Sequence, residues 1–260
     1  MQGILAGAFL AGSGVVAGVI GTAGGITSLV AYPALLAVGV PPLAANVTSS
    51  VALVGSGASS ALRAGPDVTG HATTLRGWLP RTVVLSLVGA VLLVVTPTSL
   101  FDRLVPFLVL TGAALLLLQP QLSAWQRTRD HRPGRWAVAL SGGAVALYNG
   151  YFGAGAGILL IALLALTAEP VLRRANALKN VILVVSDLLP AVLFALLGAV
   201  VWRAALPLGA GAVVGGLVGP SVARRLPEAV LRVFVGCCGV ALAAYLLVAA
   251  DPVCPGTASP

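Results

Sequence analysis

"GTAGGITSLVAYP" occupies residues 21–33, and "YFGAGAGILLIAL" occupies residues 151–163. Each is a glycine-rich break inside a strongly apolar stretch, with no charged residue beside it. Glycines of this kind have two physical readings. They let apolar helices pack closely. Alternatively, they interrupt a helix and expose the N-terminal N–H groups of the next one, which together with the helix dipole favour an anion. The rest of the sequence bears on that choice.

Only 8% of the 260 residues are charged, against about a quarter in a soluble domain, and the mean hydropathy is +1.04. The chain therefore reads as an integral membrane protein. A formal charge of +8 would suggest nucleic acid for a soluble chain. Here it is explained by arginine in loops, which sets orientation, and no basic, aromatic-interleaved domain is present to bind nucleic acid. Apolar runs predict ten helical segments, at 3–20, 25–39, 44–62, 78–97, 103–119, 136–150, 157–168, 175–199, 204–222 and 229–249. Residues 1–20 read as the first of these, since no Lys or Arg precedes the apolar stretch as in a leader.

The charges test that count. If every segment changes sides, 13 of the 15 basic residues fall on one side, and only Arg103 and Arg203 on the other. That side is then cytoplasmic and both termini face outward, as in a multi-pass protein of a bacterial plasma membrane. Some segments are short for a span. Residues 157–168 reach about 18 Å at 1.5 Å per residue, against a hydrocarbon core of about 30 Å. Short neighbours are either ordinary spans or re-entrant half-helices, and the charge split is the same in both cases.

The halves also align. "GVIGTAGGI" (18–26) matches "GYFGAGAGI" (150–158), and "ANVTSSVALV" (45–54) matches "ANALKNVILV" (175–184) in the same order. Five segments per half makes the repeats inverted, an arrangement of many secondary transporters with the site at the repeat interface. The expected fold is thus all-α and polytopic. Repeat 1 covers 1–119, a basic cytoplasmic linker 120–135, repeat 2 136–250, and a disordered tail 251–260.

The breaks supply Gly21, Thr22, Gly24 and Gly25 in the first half, with Thr27 and Ser28 as further hydroxyls. The second half supplies Gly153, Gly155 and Gly157, preceded by Tyr148 and Asn149. In "RRANALKNVILVVSDLLP" (173–190), helical spacing puts Asn176, Lys179, Asn180 and Asp187 on one face. Lys179 could attract an anion. Asp187 either exchanges a proton or pairs structurally with Lys179 or a backbone donor, since an ionised group within a membrane is costly alone. The matching first-half face carries Asn46, Ser49 and Ser50. Arg173 and Arg174 read as interfacial, Trp78, Trp136 and Trp202 as anchors at segment edges, and 64–77 as a cytoplasmic loop. Cys237 and Cys238 read as small buried apolar residues, and no metal-ligand spacing or cofactor motif occurs. No GxSxG, HExxH, P-loop or paired-carboxylate motif supports an enzyme.

These stretches resemble the sulfite exporter TauE/SafE family, also called the toluene sulfonate uptake permeases. The likeness rests on "GVIGTAGGITSLVAYPALLAVGVPPLAANVTSS" and on "YNGYFGAGAGILLIALLAL" with "RRANALKNVILVVSDLLPAVLF". It implies a permease for sulfite, sulfonates or other sulfur-containing organic anions. The expected partners are a small anion and the lipid bilayer, with a homodimer left open. The rival readings are a channel or permease for a different solute, and a non-transporting membrane accessory protein.

Overall fold

The structure is a computed structural model that describes residues 2–24, 27–127, 134–169, 171–197, 200–223 and 228–250. These form ten helices: α1 (Gln2–Gly24), α2 (Thr27–Ala37), α3 (Pro42–Val68), α4 (Ala72–Val95), α5 (Thr98–Arg127), α6 (Arg135–Tyr151), α7 (Ala156–Thr167), α8 (Leu172–Leu196), α9 (Trp202–Ala223) and α10 (Glu228–Ala250). No strand occurs among the described residues. Helices α1, α4, α5, α8 and α9 each hold an apolar stretch long enough to cross a membrane, so the chain is a multi-pass membrane protein. The tail 251–260 and linker residues 128–133 lie outside the described residues.

All ten predicted segments are present as helices, but several run further than their apolar cores. The expected loop 64–77 shrinks to residues 69–71, because α3 continues to Val68 and α4 starts at Ala72. Hydropathy marks where a helix leaves lipid, not where its backbone hydrogen bonds stop. Here they stop at Gly70, whose φ of +87° suits glycine. Helix α5 likewise continues to Arg127, into the basic linker. Cys237 and Cys238 are exposed rather than buried. In a bilayer an apolar residue satisfies the solvent by facing lipid, so hydropathy alone does not imply burial. Trp136 and Trp202 are exposed at helix starts, whereas Trp78 packs partly buried against the cluster around Leu160, Leu164, Leu178 and Ile182.

Packing contacts fix the direction of the helices. Helices α3 and α8 run antiparallel: Thr48 Oγ1 near the start of α3 accepts from Val201 N just past the end of α8, at 3.0 Å. At the opposite end Arg173 pairs with Asp67 at 2.6 Å. Helix α9 starts beside Thr48 and runs parallel to α1, with Ala11 beside Gly211, Val15 beside Gly215 and Gly18 beside Gly216. Helices α1 and α3 therefore start at the same end, and α1–α2 is a hairpin that opens toward it. Helix α6 runs parallel to α4, with Trp78 beside Gly142 and Gly89 beside Tyr151. Its hairpin with α7 opens toward the other end, where α8 begins. The extensive helix pairs recur five helices on: α1 packs on α9 as α6 packs on α4, α3 on α9 as α8 on α4, and α2 on α3 as α7 on α8.

The long contacts depend on glycine. A Cβ on Gly89 would strike the backbone of Leu147 and Tyr151, and one on Gly18 that of Ala212 and Gly216. In lipid no hydrophobic force drives helices together, so this close backbone approach carries much of the association.

The end where α3 and α8 meet is tied by polar contacts. His71 Nε2 lies 2.7 Å from Glu169 Oε2, Val171 N donates to Glu169 Oε1 at 3.0 Å, and Arg174 stands 3.8 Å from the same carboxylate. The bond to His71, then the one from Val171, hold the Glu169 carboxyl below its ordinary value of 4.5. A depressed carboxyl stabilises the fold above the unfolded pKa and loses that contribution as pH falls through the folded one.

Two outcomes are expected. Gly89→Leu lowers thermal stability in detergent by about 1–3 kcal/mol through overpacking, while Gly12→Leu, which meets open space, leaves it unchanged. The melting-temperature advantage of wild type over Glu169→Gln holds above pH 4.5 and fades as the pH falls below it. In a His71→Ala background the advantage is smaller and is used up at a higher pH.

Candidate functional site

The two glycine breaks are built differently. In the second, α6 ends at Tyr151 and the chain turns through Gly153 and Gly155, whose φ of +78° and +80° are left-handed. A side chain at either would cost about 1–2 kcal/mol. Tyr148 pins the turn: its hydroxyl donates to Ala154 O at 2.7 Å, and its carbonyl accepts from Phe152 N at 2.9 Å and Gly153 N at 3.1 Å. Phe152 is buried edge-on against Tyr32, with ring centroids 5.4 Å apart. In the first break, Gly21 near the end of α1 packs directly on Thr27 at the start of α2.

Both breaks line one interior cavity of about 110 Å³. Gly21, Thr27 and Ser28 come from the first hairpin, and Asn149, Gly153 and Gly157 from the second. Helix α3 adds Ser49, Ser50, Ser56 and Ser60, and α8 adds Lys179, Asn180 and Asp187. At about 30 Å³ per water, this space suits a few waters or one small oxyanion.

Its electrostatics centre on two residues of α8. Lys179 is 1% exposed, and its Nζ donates to Gly21 O at 3.4 Å. Among the described residues no carboxylate stands within ion-pair distance of it. Asp187, two turns further along, accepts a 2.6 Å bond at Oδ1 from Asn149 Nδ2. The sequence offered Lys179 or a backbone donor as the structural partner of Asp187. The observed donor is the side chain of Asn149 from the other element, because eight residues of helix separate Lys179 and Asp187 by about 12 Å of rise.

The donors available to a ligand are few. Ser49 and Ser50 both donate to Asn46 O at 2.9 Å, so their protons are engaged. At the start of α7 the N–H groups of Ala156 and Ile158 bond back to Gly153 and Gly155 at 3.1 and 3.0 Å. The N–H of Gly157, between them and on the cavity wall, makes no such bond. With Lys179 and the α7 dipole, this gives groups of positive character to the cavity that Asp187 also lines.

Of the residues named from sequence, Gly21, Ser49, Asn149, Gly153, Gly157, Lys179, Asn180 and Asp187 line the cavity. Tyr148 and Gly155 instead form the turn. Asn46 braces it, its Nδ2 donating to Tyr151 O at 3.0 Å. Asn176 is not on the cavity wall. Gly25 lies outside the described residues, as do the side-chain surroundings of Thr22 and Gly24. Ser56 and Ser60 were missed, although Ser49, Ser56 and Ser60 follow a helical face at i, i+7 and i+11.

The family model for sulfite exporter TauE/SafE matches residues 4–246. The chain belongs to this family. A Sinorhizobium protein named probable membrane transporter protein ORF9 is 28% identical over 253 residues, covering 95% of this chain and 94% of its own. A probable membrane transporter protein of Haemophilus influenzae is 28% identical over 227 residues, 84% of this chain and 86% of its own. The probable membrane transporter protein YfcA of Escherichia coli K12 is 25% identical over 231 residues, 89% of this chain and 86% of its own. No solved structure matches the chain. This TauE/SafE member is a membrane transporter rather than an enzyme.

A buried cation without a counter-charge destabilises the protein that holds it. Lys179→Met should therefore raise the melting temperature of the ligand-free protein, by the equivalent of about 1 kcal/mol or more. A lower melting temperature would mean that the bond from the ammonium to Gly21 O outweighs the cost of burying the charge.

Proposed function

We propose that this transporter carries a small anion, sulfite or a short organosulfonate, through the cavity between the two glycine breaks, coupled to a proton. The observation that carries the reading is Lys179, a buried cation with no acidic partner among the described residues, in a cavity that also holds a first-turn N–H of α7. An oxyanion supplies the missing charge. Thr27, Ser28 and Asn180 offer further polar contacts on the same wall.

Asp187 gives a reason for coupling. An ionised carboxylate and an anion in one small, poorly solvated cavity repel strongly. Protonating Asp187 removes that repulsion, so anion and proton load together. Asn149 holds the carboxylate and itself lies in the second break, which links protonation to the hairpin.

The opposed hairpins and the recurring helix pairs support inverted repeats that rock about the site. The charge split supports placing the arginine-rich end in the cytoplasm and both termini outside, in a bacterial cell membrane.

The decisive measurement is flux into proteoliposomes across sulfite, sulfate, thiosulfate, taurine and sulfoacetate. Saturable flux of at least one sulfur anion is expected, stimulated by an inward proton gradient. Lys179→Met should abolish it, together with ligand-induced thermal stabilisation, which at a hundredfold excess over Kd is about 2.7 kcal/mol in wild type. Asp187→Asn should keep anion exchange but lose gradient-driven accumulation. Undiminished flux in Lys179→Met would rule out this site, and a flux limited to cations or neutral solutes would rule out the anion reading.

A further inference from the structure

We infer that the central cavity communicates with the arginine-rich end through a passage between α4, α6, α7 and α8, necked at Thr82 and Ser186. Two further cavities carry this. A space of about 520 Å³ lies between α4, α6 and the end of α7, with Thr73, Thr74, Trp78 and Arg81 on its wall. A much smaller one of about 10 Å³ lies deeper. The small one shares Thr82 and Gly142 with the large space, and Asn149 and Leu183 with the central cavity. The three therefore form a chain that ends at Asn149, the residue that holds Asp187.

Packing explains why the passage lies here. Near the end of α6, Gly89 and Gly150 bring the α4 and α6 backbones into contact. Toward the start of α6 the same two helices are held apart by side chains, with the Trp78 ring against Gly142 and Leu85 against Gly143. The pair thus splays open toward the arginine-rich end, and the large space is the opening of that wedge.

The neck is polar where packing alone would make it apolar. Ser186 is 2% exposed, lines the small cavity, and its hydroxyl has no hydrogen-bond partner. A buried hydroxyl left unsatisfied is costly, and a polar passenger relieves that cost. Thr82, also buried, donates to Trp78 O and Leu79 O at 3.0 and 3.1 Å. Its proton is engaged, but its oxygen retains lone-pair capacity. Arg81 is exposed at the wide mouth and makes the entrance attractive to anions. Trp78, wedged on Gly142 between mouth and neck, is the side chain whose movement would widen the route.

The test is cysteine accessibility in reconstituted vesicles of known sidedness, with Cys237, Cys238 and Cys254 replaced by Ala. The probe is an anionic methanethiosulfonate applied from the arginine-rich side. Thr82→Cys and Ser186→Cys are expected to react. Gly142→Leu, which fills the junction, should slow reaction at Ser186→Cys about tenfold, and Arg81→Glu should slow the anionic probe about tenfold relative to a cationic one. If Ser50→Cys in the central cavity reacts from that side while both neck positions stay silent, the route runs elsewhere and the inference fails. It also fails if Thr73→Cys alone reacts, since the large space is then a closed recess such as a lipid seat. What travels the passage rests on the transport reading, but labelling needs no flux. Labelled neck residues without anion flux would sink the transport reading alone, and flux with a silent neck would sink the passage alone.

Discussion

A helix that stops inside a bilayer leaves backbone N–H and C=O groups that lipid cannot satisfy. Helices α1 and α6 end at Gly24 and Tyr151, and carbonyls at both breaks have side-chain donors. The carbonyl of Tyr151 receives Asn46, that of Gly21 receives Lys179, and that of Ala154 receives Tyr148. What remains faces a polar cavity rather than hydrocarbon. The two broken hairpins meet at one polar cavity.

The same constraint explains the composition around the breaks. Glycine is needed at 153 and 155 for conformation. At 18, 89 and 150 it is needed for close backbone contact. A single residue type serves both purposes, so the sequence around the breaks looks uniformly glycine-rich although its positions differ in role. Lys179 departs from the pattern. Met would fit the helix and suit the membrane better, so packing alone does not account for the buried ammonium.

Much of this was legible in the sequence. Hydropathy gave the ten helical segments, because the cost of burying charge in lipid is large and local. The expected repeat paired the two breaks, which line one cavity, and helical spacing put Asn176, Lys179, Asn180 and Asp187 on one face, of which the last three line it. What stayed hidden depended on contacts distant in the chain. Asn46 looked like a ligand residue but braces the carbonyl of Tyr151, 105 positions away. Asp187 is held by Asn149, 38 positions away, and spacing within one helix carries no information about that. The helical extension of α3 past its apolar core was invisible because hydropathy reports lipid exposure, and Cys237 and Cys238 misled for the same reason.

The braces across the halves also constrain how the protein is made. Lys179 reaches Gly21, 158 residues earlier, and Asn46 reaches Tyr151 from the first half into the second. As the chain emerges, the first hairpin is complete long before α8 exists, and the second cannot close its break without α3. The second hairpin therefore meets its brace as soon as it emerges, whereas the first has no bond to Gly21 O from Lys179 until α8 is made.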